Sequence, residues 1–428
     1  MKHRMILRVA VGPVVLMVAI ATVYFIAPSW LGISHEHLPA YSYEELTGSL
    51  FLPVPTDPFK PPQVRELVLP TFEDATSIWG ATGRDLRGHI WVGVSAKSHG
   101  KSAHLFEYDA IADTWRDHGS VIDQLKAVSL YSEGEGQNKI HSKIIPAKDG
   151  WLYFASTDEE GERVDEAPPR WGAHLWRIHP ERHTWQHLVA VPEGLVAVSG
   201  VGRYIYALGY WGHVLFRYDT ETGRAKRVVV GSVGGHVSRN FLADARGHAY
   251  VPRLTSQPDG RVAAQLVEYD EGLKELAATP LEFYLDQSSA EQNHGIVGLA
   301  YLPDGRMLFT THIGHLYMID PKDAQRAAVT ALGWLHPGGA AYAPSLFALG
   351  GTNWVAGVAR RQSNFEWVVA DLSTQLSAAF PLDTKGLQKV LLYGSVSRDN
   401  AGRMYLGGWA EGSPGRQRPI VLQIDPTR

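Results

Sequence analysis

The sequence predicts an all-β fold, a seven-bladed β-propeller preceded by one N-terminal transmembrane helix. Two repeated half-units along the chain predict the propeller, and one long uncharged segment near the N-terminus predicts the helix. The chain has 428 residues, no cysteine, and many glycine and aromatic residues. Such a composition favours strands joined by tight turns, and the lack of cysteine excludes disulfides and thiolate chemistry.

The first half-unit is a turn glycine followed by a strand of apolar and aromatic residues. Its glycines are Gly88, Gly150, Gly202, Gly247, Gly305 and Gly402, with a degenerate copy at Thr352–Val355. The second half-unit is a short apolar strand that ends in an acid, a residue that favours an Asx-type turn. Its acids are Asp109, Asp219, Asp270, Asp320, Asp371 and Asp425, and His179 replaces the acid in one copy.

The spacing of these copies leaves room for four short strands in each unit, and four-stranded units of about 40–50 residues are typical of propeller blades. The last copy ends after its third strand. Gln63–Thr71 alternates like a strand, so we expect it to supply the missing outer strand and leave no sheet edge exposed. Rings of six or eight blades remain alternatives. The predicted blades are 77–120, 139–191, 194–232, 236–281, 294–332, 344–383 and 391–428.

The N-terminal region has the charge pattern of a membrane anchor. Residues 1–8 carry Lys2, Arg4 and Arg8, and residues 9–33 contain no charge. About 20 apolar residues span a bilayer as a helix, and basic residues before the span place the N-terminus in the cytoplasm. We therefore expect 1–8 to be cytoplasmic, 9–33 to be the anchor, 34–62 to be a proline-rich tether, and the propeller at 63–428 to be periplasmic. A cleaved signal peptide is the alternative.

The charge of the body argues against nucleic-acid binding. The formal net charge is −4 for the chain and −7 once the first 33 residues are left out. A general nucleic-acid binder has a basic excess instead. The sequence also has no phosphate loop, dinucleotide fingerprint or nucleophile elbow.

Counting back from the turn glycines aligns the residues at which the innermost strand of each blade begins. This alignment predicts a site at the mouth of the central channel. Lys139, His236 and His294 fall on one equivalent position, and the second strands end on the same face. The candidate catalytic residues are His141, His236, His294 and Tyr210. The candidate ligand-binding residues are Asn138, Lys139, Arg239, Arg253 and Gln292. The candidate metal ligands are His236, His294 and His312.

These residue types fit two kinds of chemistry. Imidazoles at one point either bind a divalent metal or transfer protons near neutral pH. Arginines hold a carboxylate through two hydrogen bonds, and the amides suit a ligand rich in hydroxyls. The pattern therefore indicates a sugar-like small molecule or oligosaccharide as the ligand. A structural role for the same residues remains open.

The segments Gly212–Asp219 and Leu302–Phe309 resemble repeats of the broad NHL/YVTN-type seven-bladed propellers, and the resemblance covers residues 63–428. The histidines at the mouth are similar to those of propeller lyases such as oligogalacturonate lyase and streptogramin lyase. Oligogalacturonate lyases hold a divalent metal with His and Gln residues. The resemblance implies comparable parts for Gln292, His236, His294 and His312.

Two functions therefore remain open from the sequence. One is a membrane-anchored, extracytoplasmic propeller that binds a sugar-like ligand. If this propeller is an enzyme, the expected reaction is metal-assisted cleavage of a carbon–oxygen bond in a uronate. The other is a non-catalytic scaffold for an envelope protein complex, because propellers host many unrelated functions.

Overall fold

The computed structural model describes residues 41–48, 58–97, 100–158, 170–285, 295–322, 325–349, 353–384 and 386–427. These residues form seven antiparallel β-sheets, which are the seven blades of a propeller. The predicted seven-bladed fold is therefore confirmed. No helix in these described ranges is long and apolar enough to cross a membrane, and the predicted anchor, 9–33, lies outside them.

The strands follow one another from blade to blade. Blade 7 begins and ends the propeller with β1 (Gln63–Leu67), β28 (Leu391–Arg398), β29 (Met404–Glu411) and β30 (Gln417–Asp425). Blade 1 has β2 (Ala75–Ser77), β3 (Thr82–Arg84), β4 (Ile90–Ala96), β5 (His104–Asp109) and β6 (Thr114–Ser120). Blade 2 has β7 (Lys139–Ile140), β8 (Ile145–Pro146), β9 (Leu152–Thr157), β10 (Ala173–Ile178) and β11 (Trp185–Val191). Blade 3 has β12 (Gly194–Ser199), β13 (Tyr204–Tyr210), β14 (Val214–Asp219) and β15 (Ala225–Val229).

The remaining blades repeat the four-stranded pattern. Blade 4 has β16 (Leu242–Ala243), β17 (Ala249–Ser256), β18 (Val262–Tyr269) and β19 (Glu275–Leu281). Blade 5 has β20 (Ile296–Tyr301), β21 (Met307–Thr311), β22 (His315–Asp320) and β23 (Ala328–Trp334). Blade 6 has β24 (Phe347–Ala348), β25 (Trp354–Arg361), β26 (Asn364–Asp371) and β27 (Leu376–Pro381). The core lies between neighbouring blades, where Trp91, Trp176 and Trp367 are almost fully buried.

The first and last parts of the propeller meet in blade 7. β1 pairs antiparallel with β30, from Gln63 opposite Asp425 to Leu67 opposite Val421. Val64 and Leu67 are buried. The pairing satisfies the backbone groups of β30 that an open sheet edge would expose.

The described part of the predicted proline-rich tether, residues 41–48 and 58–62, contains a short helix. Helix α1 (Tyr43–Thr47) is capped by Ser42, whose side chain accepts a hydrogen bond from the backbone N–H of Glu45. The hydroxyl of Tyr43 donates to the carbonyl of Leu302, and Leu46 is buried. Apolar burial and capping therefore order residues 41–48 against the propeller. A second helix, α2 (Val121–Ala127), lies between blades 1 and 2.

Leu67→Ala should destabilise the propeller, because Leu67 is buried in the strand that closes the ring. We expect a loss of about 2–5 kcal/mol in the free energy of unfolding, as for other buried leucines cut to alanine. Urea unfolding followed by tryptophan fluorescence would measure it. Val68→Ala is the matched control, because Val68 is 89% exposed. Equal stabilities of the two variants would contradict a closing role for β1.

Candidate functional site

The mouth of the central channel is the end where the inner strands begin and the second strands finish. All seven blades place an aromatic or basic side chain there. They are Trp79, Lys139, Tyr210, Arg239, His312, Tyr342, Arg360, Tyr393 and Trp409, and we call this group the mouth cluster.

Three cations of the mouth cluster lie over aromatic rings. The Lys139 ammonium is 4.6 Å from the centroid of the Trp79 ring. The Arg239 guanidinium is 5.0 Å from the Tyr210 ring. A third pair joins Arg360 to the Tyr342 ring at 5.6 Å. These distances are typical of cation–π contacts, which hold the charged groups in place without neutralising them.

The other members link these pairs around the channel. The Tyr393 ring is 4.8 Å from the Trp79 ring, and its hydroxyl accepts a hydrogen bond of 3.2 Å from Trp409 Nε1. The rings of His312 and Tyr342 are 5.3 Å apart. Burial raises the pKa of Tyr342, Tyr393 raises it further, and Arg360 and Arg239 act to lower it. Residues of blades 4, 6 and 7 therefore act on one another across the channel.

Two guanidinium groups at the mouth have no matched carboxylate. Neither Arg239 nor Arg360 forms an ion pair with any acid that the structure describes. Arginine presents a planar fork of donors that matches a carboxylate or phosphate. The mouth is thus suited to an anionic ligand that also has a face to pack on aromatic rings.

The predicted histidines are engaged with the protein. His141 Nδ1 lies 2.8 Å from the carbonyl oxygen of Val196. His236 is only 4% exposed, and its Nε2 lies 2.8 Å from the hydroxyl of Tyr284. His294 and Gln292 lie outside the described residues.

The structure places two predicted ligand-binding residues in structural contacts. Asn138 is buried, and its backbone carbonyl accepts a hydrogen bond from the N–H of Ala96. Arg253 forms an ion pair with Glu275 through two hydrogen bonds of 2.8 and 3.0 Å within blade 4. Lys139, Tyr210, Arg239 and His312, in contrast, all belong to the mouth cluster.

Potential metal ligands converge elsewhere, between blades 1 and 2. Two overlapping groups are brought together there, Glu107 with His118 and His183, and Glu107 with Asp85 and His89. Among the described residues, His236 and His312 belong to no such group.

An arginine already supplies positive charge within these groups. Arg87 Nη2 is 2.7 Å from a carboxylate oxygen of Asp85 and 2.7 Å from one of Glu107. Blade 4 repeats the arrangement, with Arg246 between Asp244 and Glu268 and with His248 Nδ1 2.7 Å from Glu268. Recurrence in two blades favours a structural ion-pair network, because such a network satisfies the buried carboxylates.

Sequence reasoning missed five members of the mouth cluster, namely Trp79, Tyr342, Arg360, Tyr393 and Trp409. Arg360 and Trp409 lie near the ends of the second strands β25 and β29, as Tyr210 does in β13. The rule that identified Tyr210 would therefore have found both. Trp79 lies between β2 and β3 and follows a register shift between Ala75 and Ser77 within β2, so counting from the turn glycine could not place it.

Comparison with models of known protein families finds no match, and comparison with curated protein sequences also finds none. Solved structures do match. The chain is similar to YCF48 bound to D1 peptide, with a TM-score of 0.51 and 15% identity over 87% of this chain and 97% of that one. It is also similar to the extracellular domain of the putative hybrid two-component system BT4673 from B. thetaiotaomicron, with a TM-score of 0.51 and 14% identity. That match covers 84% of this chain and 39% of the other.

At such identities the likeness shows the fold alone. The chain is a seven-bladed β-propeller protein, in agreement with its seven sheets.

Glu107→Gln should destabilise the propeller by about 2–3 kcal/mol, because it removes a buried charge and leaves its partners unmatched. Burial acts to raise the pKa of Glu107, but hydrogen bonds from His118 and His89 and the charge of Arg87 outweigh it and lower the pKa to about 2. The stabilising effect should therefore be complete above the usual value of 4.5 and be lost as the pH falls from there toward 2.

Urea unfolding of wild type and Glu107→Gln at several pH values from 6 to 3 would measure this. The difference in stability should shrink below pH 4.5. Glu181→Gln, at an exposed position in blade 2, is the control and should show little difference at any pH. A difference for Glu107→Gln that does not change with pH would argue against the ionised network.

Proposed function

We propose that this protein is a ligand-binding propeller that takes an anionic, ring-containing ligand of the uronate-sugar class at the channel mouth. The observation that carries the proposal is the placement of Arg239 and Arg360 over aromatic rings, without a carboxylate partner among the described residues. A ligand carboxylate would complete the hydrogen bonding of a guanidinium. Aromatic faces such as those of Trp79 and Tyr342 would support the ring, as in many small-molecule sites.

The resemblance of the sequence to oligogalacturonate lyases supports the same ligand class, although the proposal concerns binding alone. A β-elimination would need a base beside the bound sugar. His141 and His236 are hydrogen-bonded to Val196 and Tyr284. Tyr210, His312 and Lys139 are the predicted residues of the mouth cluster that have the chemistry of a base.

A non-catalytic scaffold that binds an acidic peptide is the second candidate. The observation in its favour is the same combination of arginines and aromatic rings, because interface hot spots are enriched in Trp, Tyr and Arg. YCF48, which has a similar fold, is described as bound to D1 peptide. The two candidates differ in whether a sugar ring or a peptide chain carries the carboxylate.

Localisation forms part of the same proposal. The three basic residues before the uncharged segment 9–33 support a membrane anchor with the propeller on the extracytoplasmic side. A propeller in that position would meet extracellular saccharides.

Arg239→Gln and Arg360→Gln should each weaken the binding of tri-galacturonate by roughly tenfold to a hundredfold, because each removes a charged hydrogen bond. Isothermal titration calorimetry on the full-length protein would measure the dissociation constants. Arg224→Gln is the matched control, since Arg224 is exposed in a turn away from the mouth.

Parallel titrations with maltotriose and with a Glu-rich peptide separate the candidates. Binding of tri-galacturonate but not of maltotriose would support recognition of a sugar acid. If only the peptide binds and both mouth variants weaken it, the scaffold function is correct instead. No effect of either variant on any ligand would exclude the mouth cluster as the site.

Removal of residues 1–33 should release the protein from membranes, because that segment carries the predicted anchor. Membranes containing the full-length chain would be washed with alkaline carbonate, and the protein in each fraction would be quantified. The full-length chain should stay with the membrane and the truncated chain should not. Release of both by the wash would contradict the anchor.

A further inference from the structure

Two exposed aromatic side chains lie between blades 4 and 5, on the face of the propeller where the mouth opens. Phe283 follows β19 and is 51% exposed, and Trp334 ends β23 and is 37% exposed. In an antiparallel blade the fourth strand runs in the same direction as the second, so β19 and β23 both finish on the mouth face. The two ring centroids are 5.2 Å apart. We call Phe283 and Trp334 the rim pair.

A buried histidine lies beneath the rim pair. The ring of His315 is 4.9 Å from the Phe283 ring and 5.1 Å from the Trp334 ring. His315 is almost fully buried, and burial lowers its pKa, although Glu282 acts to raise it. The imidazole is therefore neutral near pH 7. The three rings pack together as an uncharged aromatic surface that is partly open to solvent.

The backbone at Phe283 has an unfavourable conformation. Its φ is 53°, in the left-handed region that residues with a side chain rarely adopt. Side chains of blade 5 hold this turn in place. The hydroxyl of Thr311 donates a hydrogen bond of 2.9 Å to the carbonyl of Phe283, and the hydroxyl of Tyr317 donates one of 2.7 Å to the carbonyl of Glu282.

Neither the backbone nor the packing accounts for a phenylalanine at position 283. Glycine or asparagine would suit the left-handed conformation better. About half of the Phe283 side chain stays in water, so its burial returns only part of the stabilisation that a core phenylalanine gives. Residues held in strained conformations cluster at ligand-binding sites. The strain and the exposure of Phe283 together therefore indicate a ligand contact.

The rim pair is close to the mouth cluster along the chain. His312 of the mouth cluster precedes His315 by three residues. Consecutive Cα atoms are about 3.8 Å apart, so these two residues are separated by at most about 11 Å. The chain turns between them, because the N–H of Gly314 donates to the carbonyl of Thr311 at 2.9 Å. A trisaccharide is long enough to contact both places.

We propose that the rim pair is a second binding subsite, where Phe283 and Trp334 hold a neighbouring sugar ring of the ligand that the mouth binds. This inference rests on the uronate binding proposed above and adds a subsite for the next ring of a chain. A sugar presents a C–H face to an aromatic ring and hydroxyls at its edge. The exposed carboxylate of Glu282 accepts hydrogen bonds from such hydroxyls, whereas the side chains of an acidic peptide donate none.

Phe283→Asn should weaken the binding of tri-galacturonate by roughly threefold to tenfold, because it removes an aromatic contact. Binding of the monomer, galacturonic acid, should not change, since one sugar occupies the mouth alone. Isothermal titration calorimetry on the full-length protein would measure both dissociation constants. Asparagine tolerates the left-handed conformation, so this variant should fold, and its melting temperature would check that it does.

Trp334→Thr should have the same selective effect on the trimer, and threonine suits the strand that Trp334 ends. Phe59→Asn is the matched control. Phe59 is 41% exposed, and its ring is 5.2 Å from that of Trp354. Trp354 begins β25, at the end of that strand away from the mouth. The control should therefore bind both the monomer and the trimer like wild type.

The outcomes separate this subsite from the function on which it rests. If wild type binds neither the monomer nor the trimer, the uronate function and the subsite are both rejected. If wild type binds both and the two rim variants leave trimer binding unchanged, only the subsite is rejected. An equal loss for monomer and trimer would place the effect at the mouth and also reject the subsite. If the rim variants weaken only the Glu-rich peptide, the rim pair contacts a protein partner instead.

Discussion

The pairing of β1 with β30 is the contact on which the rest of the structure depends. It joins residues more than 350 positions apart in sequence, as in the hydrogen bond between Arg65 and Gln423. A propeller blade cannot bury both of its faces alone, so each blade is stable only between two neighbours. Closing blade 7 with β1 gives every blade two neighbours and removes the exposed edge that would otherwise promote association.

Closure also brings the inner strands close to one another around the channel. At Gly83 an added Cβ atom would lie 2.0 Å from the carbonyl oxygen of Ile144 in the next blade. Only a residue without a side chain allows this approach. The channel that results has two ends of different composition. The mouth has cations placed over aromatic rings, and the opposite end has cations that line a cavity beside α1.

Both ends of the channel carry basic residues, although the net charge of the body is negative. The body has a formal charge of −7 without its first 33 residues, yet Lys139, Arg239 and Arg360 lie at one end and Arg84, Lys143 and Arg398 at the other. Basic groups in a concave, partly desolvated channel concentrate a positive potential there. The proposed binding of an anion at the mouth agrees with this charge distribution, because a positive potential in the channel attracts anions.

The sequence by itself determined the all-β propeller fold and the face that carries Lys139, Tyr210, Arg239 and His312, and it favoured seven blades over six or eight. Turn glycines such as Gly150 and Gly305 have positive φ values of 82° and 90°. A positive φ favours glycine, so the sequence of each repeat shows where its turn lies. Only the tertiary structure decided which side chains share a space. Arg253 was expected beside Arg239 but pairs with Glu275, and Arg84, Lys143 and Arg398 meet only because three inner strands from different blades converge. Repeat spacing fixes the position of a residue within its own blade, whereas contacts across the channel depend on the closure of the whole ring.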